Sequence, residues 1–322
     1  MDNAYLIFNP VSGKGDPASQ LAFIRETFQQ ADISLTVLET TPDLSASELS
    51  KRAIIESADC VIASGGDGTV SAVAGELCSS DIPLAIIPRG TANAIAAAFG
   101  ISNNIAAACD VILTGTARRI DMAACNGKPL LLLAGIGLEA DVIAKANRQL
   151  KNKIGSAAYI LSAFQQVQDL SAFKAELETP RRIITVEASG LTVANTAPAT
   201  SVLAHGPSDV VPYDGLLDVT IFAPQGTGGA IAASYNLFQS ALNNSSSRRE
   251  DVGYFRCKKV TITTDPAQKV VLDGEMIGKT PVTIECLPQT ISLITPKDGI
   301  FEPPERLYDL PGLTITQKEI ED

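Results

Sequence analysis

The residues that could do chemistry fall in short segments, each holding a polar or charged group beside glycine. Ser64-Gly65-Gly66-Asp67-Gly68-Thr69 joins three glycines to one carboxylate. Glycines let backbone N–H groups close on an anion, and a helix starting there adds the favourable end of its dipole. A carboxylate inside such a nest repels phosphate unless it holds or positions a divalent cation, which is the role Asp67 suits. The plainer reading is a Gly-rich turn. Asn9-Pro10-Val11-Ser12-Gly13-Lys14-Gly15 does not fit GxxxxGK[ST], yet Lys14 offers a cation to a phosphate. Pro88-Arg89-Gly90-Thr91-Ala92-Asn93 also opens a helix, and Thr91 as N-cap would explain it without any ligand. Tyr213-Asp214-Gly215-Leu216-Leu217-Asp218 could hold a hard cation through a carboxylate and loop carbonyls, or form an ordinary Asp-Gly turn. Leu272-Asp273-Gly274-Glu275 sets two carboxylates around a glycine, as a general base with a helper or as another hairpin turn. Gly135-Ile136-Gly137-Leu138-Glu139-Ala140 mimics a dinucleotide fingerprint, but the acid needed near the end of a second strand falls in a helical stretch, so nicotinamide-cofactor binding is not expected.

These segments need elements to place them. Strand signals at Tyr5–Asn9, Ser34–Glu39, Cys60–Ala63 and Leu84–Ile87 alternate with helix signals up to about Gln30, over Leu44–Ser57 with Asp43 as N-cap, over Val70–Leu77 and over Thr91–Phe99. Strand and helix in alternation mean βαβ units and a parallel sheet, and ligands sit at the carboxyl ends of such strands. The Gly-rich segments of this half fall there. After Asp121 the pattern changes. Asn126-Gly127 reads as a hairpin turn. Helical stretches are expected over residues 140–150 and 156–170, with another over 228–242. Short strands dominate the rest, at Ile183–Glu187, Leu191–Ala194, Leu217–Phe222, Val260–Thr264, Lys269–Leu272, Val282–Cys286 and Ile291–Ile294. That half reads as an antiparallel sandwich or barrel.

Composition excludes several functions. The chain has 322 residues and a formal charge of −11, which argues against nucleic acid as a partner. A single histidine, His205, rules out multi-histidine metal sites, and the absence of Trp disfavours an aromatic stacking platform. The N-terminus MDNAYLIFNP lacks a basic region and a long apolar stretch, and no run is apolar enough to span a bilayer, so a cytoplasmic protein is expected. The six cysteines show no CxxC spacing and read as isolated thiols. Nothing in the sequence specifies whether the chain forms a homo-oligomer.

Taken in order, NPVSGKG, Thr40-Thr41, GGDGT, PRGTAN, the Asp-Gly-Leu-Leu-Asp loop and LDGE resemble the family of diacylglycerol kinases, sphingosine kinases and bacterial lipid kinases. The series spans nearly the whole chain. The resemblance implies an α/β ATP-binding domain with a parallel sheet (residues 1–125) and an all-β sandwich domain for the lipid substrate (126–295), of the NAD-kinase/diacylglycerol-kinase-like kind. A segment over 296–322 would return toward the first domain before a loose tail. It implies ATP and Mg²⁺ as cofactors and a membrane lipid as acceptor, met by transient contact with the membrane surface. Carried over by position, Asn9, Ser12, Lys14, Thr40 or Thr41, Gly65, Gly66, Asp67, Gly68, Thr69, Gly90, Thr91 and Asn93 lie on the ATP side. Asp67 and Asp121 would serve the catalytic Mg²⁺, Asp273 would accept the proton, and Glu275 would be its neighbouring acid. Asp214 with the carbonyls of Val211 and Leu216 would hold a structural Mg²⁺.

Two positions depart from the family pattern: Ala94 where many bacterial members have Asp, and Glu139 where Asp is usual. Ala94 motivates a non-catalytic lipid- or nucleotide-binding protein as an alternative. A kinase of a soluble alcohol such as NAD is the other, because GGDGT fits NAD kinases too. Ile160, Leu161 and Phe164 read either as an acyl-chain cleft or as core. Lys145, Arg148, Lys151 and Lys153 read as a membrane-facing patch or a solvated helix face.

Overall fold

Runs of apolar residues with no polar alternation build the first sheet. The computed structural model describes residues 1–13, 15–137, 140, 172–197, 210–223 and 252–297. β1 (Asn3–Phe8), β3 (Cys60–Gly65) and β4 (Leu84–Pro88) are buried almost throughout, as parallel strands covered on both faces must be. With β2 (Ser34–Glu39) they form the parallel order β2-β1-β3-β4. Helices α1 (Pro17–Gln30), α2 (Ala46–Ile55), α3 (Asp67–Leu77), α4 (Ala94–Ala98) and α5 (Ile105–Thr114) connect and cover them. Local chemistry sets their starts. Asp16 caps α1 through the amides of Ala18 and Ser19. Ser45, not Asp43, caps α2, because Ser45 and Glu48 form a reciprocal capping box that Asp43 cannot match. α4 starts three residues later than expected, at Ala94, and its N-cap is Asn93 rather than Thr91.

The second half is antiparallel. β5 (Thr116–Cys125) turns through Asn126-Gly127, both at positive φ, into β6 (Lys128–Leu130), the hairpin the sequence announces. β7 (Leu133–Gly137), β8 (Phe173–Glu178), β9 (Ile183–Ala188), β10 (Gly190–Ala194), β11 (Leu217–Phe222), β12 (Val252–Cys257), β13 (Lys259–Asp265), β14 (Lys269–Leu272), β15 (Glu275–Lys279) and β16 (Val282–Thr295) follow. Six of these make an antiparallel sheet in the order β12-β11-β10-β7-β14-β15. The others extend the parallel sheet as β4-β16-β13-β8-β9, with β5 on β16 and β6 on β5. The inner faces meet in a core that includes Phe173, Leu177, Val260 and Ile262 against Ile136, Val193 and Val219. This is a sandwich.

One strand joins the two cores. The expected strands over 282–286 and 291–294 are a single β16, bulged between Leu287 and Ile291. A bulge re-aims a strand. Before it, β16 pairs β13; after it, Leu293 sits beside Leu84 of β4. Ile291, Leu293 and Ile294 then belong to the first core, so the chain already reaches that core within β16. A second contact ties the halves: a Cβ on Gly75 of α3 would lie 2.8 Å from Pro129 Cγ, so the bare helix face lets β6 approach.

The six cysteines are free thiols, and burial pushes Cys60 up to about 12. No described helix is long and apolar enough to cross a membrane. Lys14, Glu139, His205, the Lys145–Lys153 cluster, the Ile160–Phe164 group and the tail from 298 lie outside the described residues. So do the helices expected over 140–150, 156–170 and 228–242, apart from buried Ala140.

The GxG segment owes its second glycine to packing. Gly137 ends β7 at φ +71, and a Cβ there would stand 2.6 Å from the Phe173 ring and 2.9 Å from the Ser189 carbonyl. Gly137→Ala should therefore cost about 1–3 kcal/mol through overpacking and backbone strain. Urea unfolding measures it, and an unchanged midpoint would refute this account.

Candidate active site

Three loops close on one another at the carboxyl ends of β1, β3 and β4. Asn9 N donates to Ser64 O at 2.9 Å, and Arg89 N donates to Gly65 O at 2.8 Å. The Gly66 and Gly90 backbones touch, since a Cβ on Gly90 would lie only 2.5 Å from Gly66 Cα. Gly13, at φ +88, packs so tightly that its Cβ would meet Arg89 O at 2.2 Å. Asn9 Nδ2 donates to Thr69 Oγ1 at 3.1 Å, linking the first loop to α3. Arg89 is a residue that sequence reasoning passed over. It is buried, stacks 4.1 Å over the Phe8 ring, and donates to Asn9 O and Gln20 Oε1, both at 2.8 Å. It braces the nest from behind.

No side chain caps α3, whose N-cap is Gly66. First-turn amides of an uncapped helix need an outside acceptor, and phosphate is a natural one. Asp67 opens this helix and spends Oδ1 on the amide of Ile95 at 2.9 Å. The other expected ATP-side residues divide. Ser12, Gly13, Gly66, Gly68 and Thr91 line the partly open or exposed side of these loops. Asn93 is buried, and its amide is used within the protein, on Gly90 N, Gly90 O and Asn103 Oδ1. Thr40 lies at the end of β2 with its amide on Phe8 O, while the Thr41 hydroxyl accepts from Asp43 N and Leu44 N.

The β14–β15 hairpin reaches this nest from the other sheet. Its two-residue turn is Asp273-Gly274, at φ +45 and +91. So LDGE is a hairpin turn and also places acids at the cleft. The Asp273 carboxylate accepts from the successive amides of Leu131 (2.9 Å), Leu132 (2.9 Å) and Leu133 (3.1 Å). Ser71 Oγ of α3 donates to its Oδ2 at 3.0 Å. Burial pushes the Asp273 acid up to about 6, against the opposing pull of those four donors. Glu275 comes close to α3: a Cβ on Gly68 would sit 3.1 Å from Glu275 Oε1. Asp67, Gly68, Ser71, Asp273 and Glu275 thus converge from two cores. Ser71 lies one turn beyond Asp67, on the same helix face, which was the available signal for it.

The diacylglycerol kinase catalytic domain model matches residues 3–125, and the YegS C-terminal NAD kinase beta sandwich-like domain model matches residues 133–295. An uncharacterized protein of Synechocystis is 42% identical over 306 residues, covering 92% of this chain and 70% of its own. The chain belongs to the diacylglycerol kinase family. The family is one of phosphotransferases with an alcohol group as acceptor. A Bacillus subtilis diacylglycerol kinase is 28% identical over 301 residues, covering 92% of this chain and 98% of its own. A solved structure of a provisional diacylglycerol kinase from Bacillus anthracis str. Sterne superposes with a TM-score of 0.77 at 25% identity, over 93% of this chain and 98% of its own.

Family membership implies ATP, and the loops fit it: bare glycine backbone, an uncapped helix N-terminus and a buried guanidinium behind them. A catalytic Mg²⁺ also fits. Such an ion is usually held by one or two carboxylates plus substrate phosphates and water. Asp67 supplies one carboxylate there, and among the described residues no cluster of three or more His, Cys, Asp or Glu forms a cage.

Asp121 is placed elsewhere. Its fully buried carboxylate accepts from Gly215 N at 2.6 Å and Gln289 N at 2.8 Å, and its amide donates to Pro212 O at 2.7 Å. It ties the 212–216 loop to the bulge of β16. The expected structural-cation loop is also committed otherwise. Asp214 Oδ1 accepts from Leu216 N at 3.0 Å, and Oδ2 pairs with the Arg256 guanidinium. Arg256 also reaches buried Asp218, at 3.2 Å. A guanidinium and a divalent cation compete for one oxygen, so an ion held by Asp214 with the carbonyls of Val211 and Leu216 would have to displace Arg256 from Asp214.

Asp121→Ala should strand two amides at about 1–3 kcal/mol each. Denaturant unfolding should register that loss; a variant as stable as the parent would show that the brace is dispensable.

Proposed function

We propose that this protein transfers the γ-phosphoryl group of ATP to a hydroxyl of a membrane lipid, diacylglycerol-like or sphingoid-like, with Asp273 as general base. The observation that carries the reading is the meeting of Asp273 with the uncapped start of α3. A desolvated carboxylate near neutrality suits proton abstraction, and it stands one helical turn from an anion-binding helix end.

In this reading the glycine loops and first-turn amides of α3 hold the triphosphate, with Arg89 behind them. Thr69, fixed by Asn9, sets the pitch of the loop. Asp67 would hold Mg²⁺, which supplies charge neutralisation on the phosphates. Its bond to Ile95 N fixes one oxygen and leaves the other for the ion. Asp273 takes the proton of the acceptor hydroxyl as that oxygen forms its bond to phosphorus and ADP leaves. Positioning and electrostatics do most of the work in such transfers. Glu275 is the neighbouring acid, set against Gly68 at the positive end of α3. Asp121 acts through the loop it holds. The domain division is at about residue 125, with β16 completing both parts. The lipid is reached by transient docking at a membrane surface.

A second reading, phosphorylation of a soluble alcohol such as NAD, is favoured by the NAD kinase-like sandwich match. Labelled ATP with Mg²⁺ and micelles of diacylglycerol, a sphingoid base, ceramide or phosphatidylglycerol, beside a tube of NAD, separates the two. Label in an extracted lipid supports the first reading, and label in NAD alone replaces it. Asp273→Asn should lower turnover by about 10²–10⁴. Because the base must be ionised and its acid sits at about 6, turnover of the parent should fall as pH drops below about 6. Full turnover in the variant, or an acid limb unchanged by it, would remove Asp273 from the chemistry.

A further inference from the structure

Asp273 has no acceptor site to spare. A carboxylate offers about four lone-pair sites. Oδ1 takes the amides of Leu132 and Leu133, and Oδ2 takes the amide of Leu131 and the hydroxyl of Ser71. The three amides are successive links of one backbone between β6 and β7, so none can leave alone. Ser71 differs in kind. It is a half-buried side chain on α3, from the other core, and it can turn away about χ1. It also shares a helix face with Asp67, so its hydroxyl approaches Asp273 from the side of the phosphate loops.

An alcohol that gives its proton to Asp273 must first hydrogen-bond to it. The only exchangeable place for that bond is the one Ser71 fills. We propose that the Ser71 hydroxyl is a stand-in for the acceptor hydroxyl: it occupies the base in the resting protein, keeps water off it, and gives way when the substrate alcohol arrives. The inference rests on Asp273 being the base. An empty fourth site would leave a desolvated acceptor unmet, which is costly, so without Ser71 a water takes the place. That water would be activated beside bound ATP. Its oxygen bonds to the γ-phosphorus, the bond from that phosphorus to the bridging oxygen breaks, the proton passes to Asp273, and ADP and inorganic phosphate leave. Ser71 is thus a positioning residue that suppresses wasteful hydrolysis.

The main readout needs no lipid, and a parallel lipid assay of Asp273→Asn separates the two ways the proposal can fail. Release of inorganic phosphate from Mg²⁺-ATP is measured for the full chain, Ser71→Ala, Ser71→Cys, Ser71→Thr, Asp273→Asn and the Ser71→Ala/Asp273→Asn pair. The expected order is Ala fastest, several-fold above the parent, then Cys with its weaker donor, with Thr near the parent. The pair should fall back to the parent's background. Release in Ser71→Ala that is unchanged or slower, with Asp273→Asn inactive on lipid, overturns the stand-in and leaves Ser71 as ordinary support. A rise that survives Asp273→Asn overturns the base reading itself, because the water is then activated elsewhere.

Discussion

The carboxylate of Asp273 is the point on which the two cores agree. It sits in a two-residue turn at positive φ, the conformation that an Asp-Gly hairpin favours. Three consecutive amides hold its carboxylate on one side and Ser71 of α3 on the other. Those amides, of Leu131, Leu132 and Leu133, run from the β6–β7 connection into the first residue of β7. One side chain therefore ties the β14–β15 turn to the start of β7 and to α3 at once. Asn-Gly would serve a hairpin as well, but an Asn side chain offers one acceptor oxygen where Asp offers two.

The other half of the site depends on backbone proximity, not on side chains. Gly66 against Gly90, and Gly13 against Arg89 O, leave no room for a Cβ. The three loops can then present amides at one place, while Arg89 is held behind them by Phe8, Gln20 and the Asn9 carbonyl. A chain with a net charge of −11 needs such a local reversal of sign to hold a triphosphate. Gly75 serves the same end at longer range, since its bare face lets β6 approach α3 and so brings Ser71 to Asp273.

Periodicity made strands of both sheets readable: β2 in the first and β11 and β14 in the second fall on the expected residues because apolar positions there have no competing reading. α5 went unseen, although Asn104 before an apolar run was a start signal that the structure uses. β15 has no apolar alternation, being largely exposed at a sheet edge, and nothing in its residues marks a strand. At the site, glycine loops and acids are legible because each type has few uses. Ser71 offers only its spacing from Asp67 as a signal, because its partner lies 202 residues away and serine has many uses. Asp121 shows a different limit. An acid in a matching position carries its type into the fold, but only the structure shows that both its oxygens face backbone amides.

The same reasoning bears on Ala94. Asn93 opens α4 in the left-handed region and makes no side-chain cap, its amide being spent on Gly90 and Asn103. The orphan amide of Ile95 is met instead by Asp67, from the neighbouring helix. An acid at position 94 would add a second negative charge beside Asp67, whose carboxylate meets the neighbouring amide of Ile95. Its loss leaves Asp67 as the carboxylate joining the two helix starts, and the orientation of Asp67 does not depend on residue 94, because the bond it makes is to backbone. The departure from the family pattern therefore removes a charge from these loops and leaves intact the Asp67–Ile95 bond that joins the two helix starts.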